Sequence, residues 1–212
     1  MKLTIRTEQP EDYRQVEELT REAFWNVYQQ GCVEHYLVHI MRDAEAFLPA
    51  LDLVALADDK IVGHIMYAKT EILSPTQERY PVITFGPLSV LPAYQNKGVG
   101  AQLIEESKTR AANLGCHAIL ILGDPLYYAR FGFRPAEEYG IRNSDGRFAA
   151  ALQALELSPG ALEGVSGRYL EAEAYAIDLA AAADFDRAFP QKEKRETPSQ
   201  ARFLELVRMV HE

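Results

Sequence analysis

Long apolar runs are missing from this chain of 212 residues. No window approaches the ~18 unbroken apolar residues that a membrane-spanning helix requires, and the longest runs are short ones such as residues 118–122. A membrane protein is therefore not expected. Cysteine is equally scarce: Cys32 and Cys116 are too few for a disulfide framework and suit a reducing compartment, so a cytoplasmic location is expected. Positive charge is in deficit, with 22 Lys and Arg against 31 Asp and Glu and a formal net charge of −9. Such a field repels phosphate backbones and anionic lipid, so neither nucleic acid nor membrane is expected as a partner. The first dozen residues lack an apolar export segment, carrying Lys2, Arg6, Glu8, Glu11 and Asp12 instead. No repeat with a period of ~20–50 residues is present.

What is there is an ordinary globular composition, 48% apolar and 25% charged, able to bury a core without staples. The length amounts to about 1.4 typical domains, which predicts one domain with an appendage. Residues 3–6 alternate as a half-buried strand does, and Pro10-Glu11-Asp12 supplies helix-start chemistry. Tyr13, Val16, Leu19, Thr20, Ala23 and Phe24 then recur at helical spacing up to Gly31, and a second amphipathic stretch covers 34–42. Residues 51–57 and 61–72 read as a hairpin around Asp58-Asp59-Lys60. A third strand, 82–90, is interrupted at Gly86-Pro87, where a bulge is expected.

Gly100, Leu103, Ile104, Ser107, Ala111 and Leu114 share one face of a helix ending at Gly115, and 117–122 reads as a strand covered on both faces. Strand, glycine-rich turn, helix and strand make a βαβ unit with parallel strands. Asp124 and Pro125 open a short helix over 126–131 that Gly132 closes, and further strands follow from Phe133 and over 149–157. The fold class is α/β in the broad α+β sense. From about Ile177 the chain turns Ala-rich and charged, then ends in an amphipathic helix with Phe203, Val207 and Val210 on its apolar stripe.

The chemistry concentrates in Leu88-Ser89-Val90-Leu91-Pro92-Ala93-Tyr94-Gln95-Asn96-Lys97-Gly98-Val99-Gly100, which joins a strand to a helix. Gly98 and Gly100 allow a tight turn and leave N–H groups uncovered at a helix N-terminus, where the dipole favours an anion such as a pyrophosphate. An ordinary tight turn uses the same glycines. Two common phosphate motifs do not fit. A dinucleotide fingerprint needs a third small residue where Leu103 stands, and a P-loop needs Lys-Ser or Lys-Thr where Ala101-Gln102 stands.

The pattern that does fit, Gln-x-x-Gly-x-Gly after a strand and a Pro-containing turn, resembles the acetyl-CoA-binding segment of the GCN5-related N-acetyltransferase (GNAT) family. Tyr128-Ala129-Arg130-Phe131-Gly132-Phe133 resembles the family's Tyr-x-x-x-Gly-Phe element one strand later. Residues 157–167 further resemble a bacterial branch often called YhbS-like. The resemblance spans about residues 1–175, implying an acetyltransferase domain there and a C-terminal extension over 176–212. It implies a mainly antiparallel central sheet flanked by helices, with a parallel pair splayed at the cofactor site. It also implies acetyl-CoA as co-substrate, no metal, and transfer to a primary amine by direct attack, the acceptor being a small molecule or a protein. A non-catalytic acyl-CoA sensor of the same fold is the alternative.

Carried onto this sequence, the resemblance places the pantetheine arm on the backbone of Leu88, Ser89 and Val90. Gln95, Asn96, Lys97, Gly98, Val99, Gly100 and Ala101 surround the pyrophosphate, with Arg130 and Phe131 beside it. Tyr128 becomes the general acid for the departing thiolate, with Tyr127 its competitor. Many relatives have an Asn near the start of the short helix, where Gly123-Asp124-Pro125 stands here. The strand stretch 84–90 carries no acid, which leaves Glu71 or a water as base. His35, Tyr36 and His39 are expected near the acceptor. Cys32, His35 and His39 also have a metal-like spacing but no fourth ligand nearby. The C-terminal helix is expected to pack back on the domain or across a homodimer interface.

Overall fold

The computed structural model describes residues 2–212. Strand β1 (Thr4–Thr7) leads into helix α1 (Tyr13–Phe24), α2 (Glu34–Met41) and the strands β2 (Leu53–Ala57), β3 (Lys60–Leu73) and β4 (Arg79–Val90). Helix α3 (Val99–Asn113) and β5 (Ala118–Leu122) follow, then the single turn α4 (Pro125–Tyr128) with Asp124 capping the Leu126 N–H. Short strands β6 (Arg134–Pro135), β7 (Ile141–Arg142) and β8 (Phe148–Ala149) precede β9 (Leu152–Glu156) and β10 (Gly167–Leu170). The chain closes with α5 (Leu179–Asp186), α6 (Pro198–Arg208) and β11 (Val210–His211).

The sheet runs β1-β2-β3-β4-β5-β9-β6, with β10 and β7 joined to the distal end of β3. It is mainly antiparallel. The β4–β5 pair is parallel and holds register at one pair alone, Ile83 with Ile119, so the two strands part beyond it. β7 and β10 add a short parallel contact. The expected class and the splayed βαβ pair are thus what the chain adopts.

Alternation on β3 divides the core. Ile65 and Tyr67 face α3, where the Tyr67 hydroxyl meets Ser107 Oγ at 2.8 Å, while Met66 and Ala68 face Val16, Leu19, Val38 and Met41 of α1 and α2. Gly63 lets α3 sit close: a β-carbon there would lie 2.7 Å from Val99 Cγ1. A buried polar brace, Arg42–Glu8 with Asp52 and His64, ties α2 to β1 and β3. Burial raises both of its carboxyls and lowers its imidazole.

The expected bulge forms at Gly86-Pro87, where two residues of β4 span a single residue of β3. It reverses the alternation. Ile83 and Phe85 face α3 before it, whereas Leu88 and Val90 do so after it, leaving Ser89 to point the other way. The Tyr175 hydroxyl donates to the Gly86 carbonyl at 3.1 Å and covers the bulge.

The C-terminal segment packs back on α1 and α2. Arg21 grips Asp186 with two hydrogen bonds, Lys192 pairs with Glu22, and the Trp25 indole donates to the Glu193 carbonyl. Val210, expected on the helical stripe, stands outside α6, because the chain extends after Met209 and pairs β11 with β8. No helix among the described residues is long and apolar enough to cross a membrane.

Candidate active site

The parting of β4 and β5 opens a cavity of about 570 Å³ between α1, α3 and α4. One wall is strand backbone. The Leu91 N–H bonds the Val62 carbonyl, so in the antiparallel register Leu91 and Ser89 turn their peptide groups toward β3. Leu88 and Val90 therefore turn theirs toward the gap. The Val90 carbonyl accepts from the Gln95 side chain at 3.1 Å, which leaves the Leu88 groups and the Val90 N–H facing the gap without a strand partner.

The floor is the start of α3. Asn96 and Gly98 take left-handed conformations, φ 59° and 84°, that turn the chain sharply into the helix. The Gln102 N–H is the first to bond back, to the Gly98 carbonyl, so the N–H groups of Val99, Gly100 and Ala101 have no intrahelical acceptor. No atom lies within 4 Å of where a Gly98 side chain would begin, so the approach to these donors is open. Arg130 borders the same space, its guanidinium 4.1 Å from the Tyr127 ring centroid and without an ion-pair partner among the described residues.

The far wall is α4. The Tyr128 ring packs on Phe85, Phe133 and Tyr127, yet its hydroxyl has no hydrogen-bond partner among the described residues, and the side chain lines the cavity. Burial pushes its phenol well above the ordinary range, with a further push from Tyr28 and Tyr127, so it stays protonated at neutral pH. The Tyr127 hydroxyl reaches over Gly100, 3.1 Å from where a β-carbon would sit.

Backbone donors for a pyrophosphate, an open strand edge and a neutral phenol thus share one cavity, and three comparisons bear on it. The profile of the acetyltransferase (GNAT) family matches residues 13–133, which include all three. The chain belongs to this family. Among its relatives is an uncharacterized N-acetyltransferase, YhbS of Escherichia coli K12, 31% identical over 166 residues covering 78% of this chain and 93% of that one. The crystal structure of E. coli YhbS in complex with CoA superposes with a TM-score of 0.73 at 28% identity, covering 84% of this chain and 93% of that one. A GNAT family acetyltransferase from Brucella melitensis in complex with acetyl-CoA gives 0.66 at 29% identity, covering 82% and 98%. This GNAT chain thus superposes on one structure solved with CoA and on another solved with acetyl-CoA.

Of the residues expected around the cofactor, Leu88, Val90, Gln95, Asn96, Gly98, Val99, Gly100, Ala101 and Arg130 line the cavity together with Tyr128. Three do not. Ser89 is fully buried with its hydroxyl on Thr20, Phe131 is turned into the core, and Lys97 leans over the Tyr94 ring. The acceptor candidates also lie elsewhere. His35 is fully buried beneath Phe185 and Phe189 with Nε2 3.0 Å from Asp186, Tyr36 packs on Phe185, and Glu71 pairs with Arg79. His39 pairs with Glu17 while Cys32 Sγ contacts His35 Nδ1, so that trio does not converge on one point. The sequence reading missed Ala23, Phe24 and Tyr28 at the end of α1, which close the cavity opposite α4. Their distance in sequence from the glycine turn hides them, and Tyr28 betrays itself only through its stacking on Phe24 and Phe203.

Proposed function

We propose that this chain transfers the acetyl group of acetyl-CoA to a primary amine by direct attack, residues 1–175 forming the catalytic unit and 176–212 an extension. What carries the reading is the meeting, around one cavity, of the unpaired Leu88 peptide groups and Val90 N–H, the free N–H groups at the start of α3 and the Tyr128 side chain. The helix N–H groups and Arg130 take the pyrophosphate. Leu88 takes the pantetheine amides as an added strand would. The Val90 N–H is placed to donate to the thioester carbonyl and to the oxyanion that forms there.

The nitrogen lone pair forms the new C–N bond, and the C–S bond breaks as the oxyanion collapses. Tyr128 gives its proton to the departing sulfur. The proton shed by the nitrogen passes to water at the cavity mouth, and Tyr128 is reprotonated from solvent. Nothing here requires a covalent enzyme intermediate. The decisive test is thiol release from acetyl-CoA over an amine panel, beside calorimetric titration with acetyl-CoA. Binding and turnover are expected, with Tyr128→Phe losing ~10²-fold or more in kcat while acetyl-CoA affinity holds. Binding without turnover on any amine indicates the sensor alternative, and no binding at millimolar acetyl-CoA overturns both.

A further inference from the structure

A second cavity of about 460 Å³ adjoins the first, sharing Tyr28, Leu122, Gly123 and Asp124 as a common wall. The shared wall includes Gly123, on which the Tyr128 ring rests. Its other walls are largely apolar, built from Tyr169, Ala151 and the inner side of α6 with Phe203, Leu206 and Val207. Asn143, Ser144 and Ser199 are polar points on this lining, but a ligand rich in hydroxyls or amines would still leave donors unsatisfied against the apolar remainder.

Three charged side chains border this space, and two are engaged. Asp124 caps the Leu126 N–H with one oxygen and faces Arg202 at 3.5 Å with the other, and Arg202 also faces Glu205 at 3.5 Å. Glu171, one residue past β10, has neither a hydrogen bond nor an ion pair among the described residues. Its side chain is exposed at the cavity border, and the nearby apolar surface raises its carboxyl above the ordinary value.

We propose that this second cavity is the acceptor site and that it takes a small primary amine with an apolar alkyl or aryl body, its body held by α6 and its nitrogen by Glu171, which accepts one ammonium proton and so frees the lone pair that attacks the thioester. This rests on the acyl-transfer reading above. The volume suits a small molecule, and the C-terminal extension selects the acceptor by roofing the cavity. Hydrophilic polyamines and amino sugars are excluded as good acceptors. Glu171, not Glu71, is the carboxylate that the fold brings to the acceptor side.

The test uses the full-length protein with acetyl-CoA and four amines: 2-phenylethylamine, isopentylamine, ethanolamine and spermidine. The first two should exceed the others ~10-fold or more in kcat/KM. Glu171→Gln should raise the KM for 2-phenylethylamine ~10-fold or more, the loss of a charge-assisted contact, and leave acetyl-CoA affinity unchanged. Ala151→Leu, which fills the cavity, should act likewise. Turnover that favours spermidine or ethanolamine, or that ignores both substitutions, overturns this proposal and leaves acyl transfer standing. Faster turnover of octanoyl-CoA than acetyl-CoA, whatever the amine, also overturns it, since the cavity then takes the acyl chain. Saturation-transfer NMR of 2-phenylethylamine on the protein alone decides the site independently of turnover. Signal that Glu171→Gln abolishes supports it, and no signal overturns it. Loss of acetyl-CoA binding, by contrast, speaks only against the function.

Discussion

Tyr128 packs directly against Gly123: a β-carbon on Gly123 would lie 2.7 Å from the ring's Cδ2 and overlap Cε2. The glycine cannot retreat, because its N–H is bonded to the Ala151 carbonyl at 2.8 Å. Gly123→Ala should therefore rotate the ring away and carry the hydroxyl off its position. A displacement of ~1 Å costs on the order of 10²-fold in rate. Thiol release should fall toward the Tyr128→Phe level while far-UV circular dichroism stays unchanged, and undiminished turnover would sever the link between ring placement and catalysis.

At the cradle, Gly98 pairs a left-handed backbone with an open approach to the helix N–H groups. Gly98→Ala should cost ~1 kcal/mol or more in stability from backbone strain. A methyl group in the path of the pyrophosphate should also weaken acetyl-CoA binding ~10-fold, equivalent to ~1.4 kcal/mol. Calorimetry read beside a urea melt separates the two effects.

The motif reading puts both Arg130 and Lys97 at the pyrophosphate, but of the two Arg130 borders the cavity and Lys97 does not. Arg130→Gln should raise the KM for acetyl-CoA ~10-fold with little change in kcat, as loss of one charged phosphate contact does. Lys97→Gln should leave both near the parent values. Equal effects in steady-state kinetics would restore Lys97 to the site.

Acid should loosen the C-terminal segment. Burial lowers the His35 pKa from 6.5 to about 4, only partly offset by Asp186. The unfolded chain therefore binds this proton between pH 6.5 and 4 and the folded one does not, so stability falls as pH drops through that window. Asp186 adds to the same direction: burial raises its carboxyl, but the hydrogen bond and charge of Arg21 outweigh this and hold it below the usual range, giving up stability at still lower pH. The His35 contribution should reach roughly 2–3 kcal/mol by about pH 4. Comparison with His35→Gln isolates it from the Glu8 and Asp52 carboxyls, whose raised values act with the opposite sign. Trp25 is the only tryptophan and bonds the Glu193 carbonyl, so its fluorescence reports release of the segment. A parent-minus-variant difference that stays flat from pH 6.5 to 4 would count against the mechanism.

Local signals made much of this legible in the sequence. Periodicity located α1, α3 and the long strands, and the positive-φ glycine with its helix start marked the cradle. Ser89 lies off the cavity because the bulge at Gly86-Pro87 shifts the alternation of the strand that follows. His35 and Tyr36 lie away from the cavity, and the sequence does not show it because their covers, Phe185 and Asp186, come about 150 residues later. Glu171, the proposed acceptor carboxylate, escaped notice for the same reason: nothing near it in sequence shows that it shares a cavity with α6.

The single Ile83–Ile119 pairing also bears on solubility. Open strand edges invite pairing with other chains, and proteins ordinarily blunt them at the rim of a sheet with charge or proline. Here an open edge sits within the sheet, between α3 and α4, where a slender thioester arm can enter and a foreign strand with its side chains cannot. The chain can therefore keep unpaired peptide groups ready for a ligand while withholding them from aggregation.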